Sequence, residues 1–109
     1  MAAVNTHELY GTVGHRHLDG LAHWATGEYP GSALSLIECS DGRWFVEVDF
    51  GGAFDRIDGV SRPAVEPWRE PAFFASEHGA REFAVRCIKA VHPGLADRDD
   101  LLGWFEERA

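Results

Sequence analysis

The fold is decided by the stretch ALSLIECSDGRWFVEVDF, residues 33–50. Two runs rich in apolar residues, 33–39 and 43–50, flank the turn sequence Ser40-Asp41-Gly42-Arg43. Because Asp-Gly favours the centre of a type I′ turn, this pattern predicts an antiparallel β-hairpin with a two-residue loop. Such a loop pairs Cys39 with Trp44 and places one largely apolar set of side chains on the inner face of the sheet. That set is Ala33, Ser35, Ile37, Cys39, Trp44, Val46, Val48 and Phe50.

The sequence after the hairpin predicts the helix that covers it. Apolar residues recur at helical spacing across 77–91, which is typical of an amphipathic helix. Ser76 is suited to cap the N-terminus of this helix, and His92-Pro93-Gly94 is suited to end it. A second C-terminal helix is predicted over 98–107, with Leu101, Leu102, Trp104 and Phe105 on its apolar side.

Three further segments complete the predicted architecture. Residues 72–75 form a short apolar run that predicts a third strand, and 18–25 shows helical spacing that predicts a short N-terminal helix. The apolar stripe of that helix is Leu18, Leu21, Ala22 and Ala25. The segment 51–71 is interpreted as a long irregular loop, because its three prolines exclude a long helix or a central strand.

Taken together, these elements predict one α+β domain over 1–109. Its expected core is a small antiparallel sheet of about three strands packed on the 77–91 helix. Whether residues 1–32 are less ordered than the rest stays open, because that part of the chain is rich in glycine and histidine and shows little hydrophobic periodicity.

The chain is small and acidic. It has 109 residues, with 18 Asp and Glu against 10 Lys and Arg, and a formal net charge of −8. A length of this order fits one domain. The negative charge argues against an affinity for the phosphate backbone of nucleic acids or for anionic membrane surfaces. We therefore expect no nucleic-acid partner and no membrane association. We also expect no secretory signal and no membrane helix, because the sequence has neither a basic, apolar leader nor an apolar run of about 20 residues.

The two cysteines, Cys39 and Cys87, are far apart and form no C-x-x-C pair. This spacing excludes zinc ribbons and thioredoxin-like motifs. We expect two buried free thiols, as in a reducing compartment, and therefore a cytoplasmic protein. A disulfide between the two cysteines stays open as the alternative.

The predicted outer face of the hairpin is the first candidate site. It mixes carboxylates with apolar side chains, a combination that suits a partner with a basic or aromatic patch. With the proline-rich loop, this face gives the candidate partner-binding residues Glu38, Phe45, Glu47, Asp49 and Trp68. Two structural alternatives stay open: the 18–25 helix covers the apolar residues of this face, or the face is simply solvated.

A histidine cluster near the N-terminus is the second candidate site. His15 and His17 would project to the same side of an extended segment, and His23 could add a third imidazole. These residues give a hypothesis of divalent-metal binding, weighed against surface histidines that bind nothing. Nucleophilic catalysis is not predicted, because the chain has no G-x-S-x-G motif.

Two functional hypotheses follow. The leading one is a small acidic protein-interaction module, such as an inhibitor, an immunity-type protein or an adaptor, which binds a partner protein's surface and needs no cofactor. The alternative is a small metal-binding protein or metal-dependent enzyme that uses His15, His17 and His23. A homodimer formed through an exposed strand edge stays open.

Overall fold

The computed structural model describes residues 6–62 and 69–107, which form four α-helices, one 3₁₀ turn and four β-strands. The elements are α1 (Thr6–Tyr10), β1 (Thr12–His17), α2 (Asp19–Thr26), β2 (Ala33–Cys39), β3 (Trp44–Phe50), β4 (Val60–Ser61), α3 (Glu77–Val91), a 3₁₀ turn (Pro93–Leu95) and α4 (Gly103–Glu107). Within the described ranges, no helix is long and apolar enough to cross a membrane. The predicted α+β class is confirmed, as are the hairpin strands, the 77–91 helix and the short helix near 18–25.

The sheet is larger and less uniform than the sequence predicts. Over the described residues it has four strands in the spatial order β1-β2-β3-β4. The β1–β2 and β2–β3 pairs are antiparallel, whereas β4 runs parallel to β3. The expected third strand at 72–75 is wrong: it reduces to one bridge, in which Phe74 and Trp44 exchange two backbone hydrogen bonds of 2.8 Å. The sequence pattern missed β1 because four of its six residues are polar, and β4 because it has two residues.

The hairpin register differs by one residue from the predicted one. Trp44 pairs with Glu38 and not with Cys39. The loop has three residues, because Cys39 N–H donates to the Arg43 carbonyl at 2.8 Å and Gly42 N–H donates to the Cys39 carbonyl at 3.0 Å. A type I′ turn would need positive φ at both Asp41 and Gly42. Only glycines have positive φ among the described residues, and here Gly42 alone supplies it, at +92°.

The side chain of Asp41 favours this longer loop. Its Oδ1 accepts the Arg43 backbone N–H at 3.0 Å, and its Oδ2 accepts the Arg43 Nε–H at 2.8 Å. A three-residue loop that closes with a glycine in the left-handed region is a common hairpin turn. The prediction of a two-residue loop was therefore wrong, because Asp41 bonds Arg43 instead of adopting positive φ.

The shift of one residue exchanges the two faces of β2 relative to β3. The inner face, toward α2 and α3, carries Leu34, Leu36 and Val46, with Trp44 and Val48 partly buried against the same core. The outer face carries Ile37, Cys39 and Phe45. The predicted inner set is thus corrected: its members are divided between two separate apolar clusters.

The main cluster lies between the sheet and the helices. In α3, Ser76 Oγ accepts the Gly79 N–H at 3.2 Å and caps the helix, while Ala80, Ala84 and Ile88 are buried against the sheet. Full burial of each large apolar side chain contributes about 1.5–3 kcal/mol before the loss of conformational entropy is subtracted. This cluster therefore fixes α2 and α3 on one face of the sheet, with the C-terminal ends of both helices near the turn after α3.

The C-terminal helix is shorter than predicted. Residues 98–100 have no regular structure and 101–102 form a turn, with the Gly103 N–H bonded to the Asp100 carbonyl at 3.0 Å, so α4 begins only at Gly103. Arg98 explains part of the difference, because its side chain bonds the carboxylate of Asp100 two residues ahead. Residues two apart do not face each other on an α-helix, so this ion pair fits the irregular backbone before α4 and not a helical start.

Candidate partner-binding surface

The outer face of the sheet is mostly closed by the chain itself. Phe45 has 0% exposure and lies under Tyr10 and Phe73. The three rings meet edge to face, with centroid distances of 5.5 Å for Tyr10–Phe45, 5.0 Å for Tyr10–Phe73 and 5.7 Å for Phe45–Phe73. The expectation that Phe45 offers a contact surface is therefore corrected: α1 and the segment before α3 cover it.

Glu47 is half-buried on the same face and joins three elements. Its Oε2 accepts the Thr6 hydroxyl of α1 at 2.7 Å and the Ser61 hydroxyl of β4 at 3.1 Å. Buried polar groups need such partners, since an unpaired carboxylate costs several kcal/mol to bury. Glu47 therefore links α1 and β4 to β3 through these two hydrogen bonds.

Asp49 pairs with a histidine of the second candidate site. Its Oδ2 lies 2.9 Å from His17 Nδ1, and Ser35 Oγ lies 3.2 Å from the same nitrogen. A Ser-His-Asp triad needs the serine and the carboxylate on opposite ring nitrogens. Because both groups meet Nδ1 and Ser35 is buried, these three residues are not arranged for nucleophilic catalysis.

The remaining predicted residues are dispersed. Glu38 faces the opposite side of the sheet, beside Gly14 and Trp44. Trp68 lies outside the described residues. His15 is exposed on β1, and the ring of His23 stacks on Tyr29 with a centroid distance of 4.1 Å. Within 6–62 and 69–107, no three His, Cys, Asp or Glu side chains are grouped as metal ligands, so His15, His17 and His23 are not brought together.

The two cysteines are both free and buried, as expected. Burial raises the pKa of the Cys87 thiol to about 11. Burial also raises the pKa of Cys39, with the nearby Asp41 carboxylate as a second cause. Only the thiolate is an effective nucleophile. Both groups are therefore poor nucleophiles at neutral pH.

A cleft at the C-terminal ends of α2 and α3 offers a different surface. This α2–α3 cleft has a volume of about 490 Å³. Its lining consists of Ala25, Thr26, Val91, His92, Pro93, Gly94, Leu95 and Arg98. The cleft lies where the two helices end, and each end has a local cause in the sequence. Gly27 adopts φ of +81° and ends α2, and Pro93 follows the end of α3.

Arg98 forms one wall of the cleft and is held on three sides. Its Nε and Nη2 donate to the two carboxylate oxygens of Asp100 at 2.7 and 2.9 Å, and its Nη1 donates to the Ala25 carbonyl at 3.2 Å. The guanidinium carbon lies 5.4 Å from the centre of the Trp24 ring. These hydrogen bonds lower the pKa of Asp100 below its ordinary value, so this pair stays charged across the neutral range.

Two aromatic side chains are exposed at the same end of α2. Trp24 is 39% exposed and Tyr29 is 81% exposed, the largest exposure among the large apolar side chains of the described chain. One face of the Tyr29 ring is stacked on His23 with an angle of 11° between the rings. Aromatic residues and arginine are enriched at the centres of protein interfaces, whereas scattered exposed apolar residues carry no such meaning.

Sequence reasoning placed the interface elsewhere, although one signal for this surface was available. Trp24 lies off the Leu18-Leu21-Ala22-Ala25 stripe, and a large aromatic residue away from the buried side of a short helix must lie at its border or in solvent. The exposure of Tyr29 and the position of Arg98 depend on the packing of α2 against α3. Comparison of the chain with protein-family models, with curated proteins and with solved structures finds no match.

Proposed function

We propose that this protein is a small acidic protein-interaction module that binds a partner protein through the surface at the C-terminal end of α2. The observation that carries the proposal is the ring of Tyr29, 81% exposed yet positioned by its stack on His23. A side chain held in one place loses little conformational entropy when a partner covers it. Exposed and pre-positioned aromatic rings are therefore suited to interface contacts.

Three features of the neighbouring residues support the same surface. The α2–α3 cleft offers a concavity beside Trp24, and Arg98 keeps both in place through its bonds to Ala25 and Asp100. By contrast, on the outer sheet face Phe45 is buried and Glu47 is engaged in hydrogen bonds within the protein, so neither side chain is available to a partner. We therefore assign the interface to the α2 end and not to the sheet face.

The role within this proposal is that of an inhibitor, an immunity-type protein or an adaptor, which acts by occupying a partner's surface. The net charge of −8 favours partners with a basic patch, because complementary charge speeds the encounter. We propose a cytoplasmic setting, in agreement with the two buried free thiols.

Quantitative affinity capture from the source cells tests the proposal. The wild-type protein, Tyr29→Ala and Leu9→Ala are each immobilised, and retained proteins are identified and quantified by mass spectrometry. Leu9 is the matched control, because it is an exposed apolar residue, 54% exposed, on α1. Any protein retained by wild type and Leu9→Ala but not by Tyr29→Ala is then purified, and its Kd is measured by calorimetry.

We expect Tyr29→Ala to weaken that Kd by about tenfold or more, since loss of an interface aromatic anchor costs about 1–2 kcal/mol or more. The melting temperature should stay unchanged, because the side chain makes few contacts beyond His23. Equal binding by wild type and Tyr29→Ala, or no retained protein, would show that this surface is not the interface.

A further inference from the structure

We propose that Arg62, the residue that follows β4, binds a small carboxylate ligand. The inference rests on the burial of this side chain, on the lack of an internal partner for its charge and on the acidity of the protein. It uses none of the residues of the partner-binding surface proposed above, so the two proposals are tested independently.

Arg62 is the one charged residue among the buried residues of the described chain. It is 9% exposed, whereas the buried polar residues besides it are serines and threonines. Arginine is seldom buried to this extent unless its charge is paired, because taking an ionised group out of water is costly. A neutralising group is therefore expected at Arg62.

The residues that the structure describes do not supply this group. Within 6–62 and 69–107, nothing forms a hydrogen bond, an ion pair or a ring contact with the Arg62 side chain. The other arginines of these ranges differ, since Arg56 and Arg86 are exposed to water. The rest pair with carboxylates, and these are Arg16, Arg43, Arg69, Arg81 and Arg98. Of the described arginines, Arg62 alone is both buried and unpaired.

The β3–β4 register explains why Glu47 does not neutralise Arg62. Glu47 lies opposite Ser61 and accepts its hydroxyl at 3.1 Å on the outer face of the sheet. Consecutive side chains of an extended chain point to opposite sides, so Arg62 is directed away from Glu47. This carboxylate is engaged by Thr6 and Ser61 instead.

The guanidinium of Arg62 is accessible from solvent, although most of the side chain is buried. In the described part of the chain, Arg81 Nε is fully buried without a hydrogen bond, and no nitrogen of Arg62 is buried to that extent. The unpaired nitrogens of Arg62 therefore touch solvent at the end of a buried stem. A small ligand reaches them without unfolding the protein.

A carboxylate suits this group better than a phosphate does. The planar guanidinium presents paired N–H donors that match the two oxygens of a carboxylate. One carboxylate neutralises the single charge of Arg62, whereas a phosphate group carries about −1.5 to −2 charges at neutral pH. In a chain with a net charge of −8, the additional negative charge is repelled. The ligand class is therefore a monoanionic carboxylate.

An NMR titration of the full chain tests this inference. The ¹⁵N-labelled protein is titrated at constant ionic strength with sodium acetate, acetamide and sodium phosphate. We expect acetate to shift the Nε–H resonance of Arg62 and the backbone amides of Ser61 and Arg62, with a Kd in the millimolar range. Acetamide, which has a similar shape without the charge, should bind at least about fivefold more weakly. Phosphate should also bind more weakly than acetate.

Two variants separate the site from the net charge. Arg62→Met and Arg56→Met each remove one positive charge, but Arg56 is exposed. Arg62→Met should raise the Kd for acetate at least about tenfold, as read from the Ser61 amide, whereas Arg56→Met should leave it within about twofold. Methionine keeps a long apolar stem, so without acetate Arg62→Met should melt at or above the wild-type temperature.

Arg62→Lys is a second variant that keeps the charge in place. It lacks the planar fork of the guanidinium, and we expect it to bind acetate at least about threefold more weakly than the wild type. Saturating acetate should raise the melting temperature of the wild type and of Arg56→Met, because it binds only the folded state, but not that of Arg62→Met.

The absence of acetate-dependent shifts at Ser61 and Arg62, equal binding of acetate and acetamide, or tighter binding of phosphate would each overturn the inference. So would equal losses of affinity in Arg62→Met and Arg56→Met. A marked loss of stability in Arg62→Met would overturn it as well, because it would show that the protein itself neutralises Arg62. None of these results affects the Tyr29-dependent capture, which remains a separate test of the proposed function.

Discussion

Gly42 is the residue at which the β2–β3 turn enters the left-handed region, with φ of +92°. Its position three residues after Cys39 makes the loop three residues long and pairs Glu38 with Trp44. A turn shorter by one residue would bring Leu36 to the outer face and Ile37 to the inner one. The length of this turn therefore decides which side chains of β2 form the main core, and Gly42 supplies the positive φ that the turn needs.

Gly42→Ala should destabilise the protein by about 1–2 kcal/mol. The cost is that of an L side chain in the left-handed region, since no atom lies within 4 Å of the added Cβ. Gly31→Ala is the control, because its Cβ also meets open space and its φ is not positive. Urea unfolding measures both free energies. A loss below about 0.5 kcal/mol for Gly42→Ala, or equal losses in the two variants, would contradict this account of the turn.

Cys87 makes stability depend on alkaline pH. Burial raises its pKa from 9.0 in the unfolded chain to about 11 in the folded protein. Between these values the folded state holds a proton that the unfolded state has released. The contribution to stability is therefore complete below pH 9 and is lost as the pH rises toward 11, at up to about 1.4 kcal/mol per pH unit.

We expect the free energy of unfolding of the wild type to fall by about 1–3 kcal/mol more than that of Cys87→Ala between pH 8 and pH 11. The variant lacks the thiol but retains Cys39 and Tyr10, whose pKa values burial also raises, so the difference between the two curves isolates Cys87. Chemical denaturation across this pH range supplies both curves. Parallel curves would show that Cys87 does not titrate as described.

At the scale of elements, strong local periodicity was enough for prediction. The bounds of α3 and β2 agree with the predicted 77–91 and 33–39, because each pattern repeats within the element and has its own end signal. Strand β1 gave no such pattern. Its polar side chains find their partners in distant elements: Arg16 contacts α4, and His17 contacts Asp49 in β3.

The candidate site was harder to predict than the elements. The sequence predicted Phe45 on the outer face of the hairpin, and it lies there, but Tyr10 and Phe73 from distant parts of the chain cover it. The α2–α3 cleft arises where two helices end side by side, a juxtaposition that depends on 60 or so intervening residues of fold and leaves no local pattern. Chemistry that depends on contacts distant in sequence is visible only once the packing is known.

At the scale of the whole molecule, Arg16 joins the N-terminal and C-terminal parts. From β1, its Nη2 donates to the Phe105 carbonyl of α4 at 3.3 Å, and its Nη1 lies 3.6 Å from Glu77 Oε2 at the start of α3. Its guanidinium carbon also lies 5.8 Å from the Trp104 ring centre and 5.4 Å from that of Phe105. Arg81 pairs with the same Glu77 carboxylate and lies over Phe105. One side chain thus connects the first strand with two helices.

Arg16→Ala should therefore loosen α4 as well as β1. We expect a loss of about 1–3 kcal/mol in the free energy of unfolding, from a hydrogen bond to a charged donor and the cation–π contacts. Arg86→Ala is the matched control, because Arg86 is exposed and its ring contact is a single one, 5.8 Å from the centre of Phe83. It should cost less than about 1 kcal/mol.

Hydrogen exchange distinguishes this connecting role from a local one. If Arg16 holds the two ends together, amides of Trp104 and Phe105 should exchange at least about fivefold faster in Arg16→Ala, because docking of α4 loses roughly 1 kcal/mol or more. Amides in the middle of α3, packed by Ala80, Ala84 and Ile88, should keep their order of protection. Unchanged exchange in α4 would show that Leu101, Trp104 and Phe105 dock this helix through the main core alone, and that Arg16 acts only within β1.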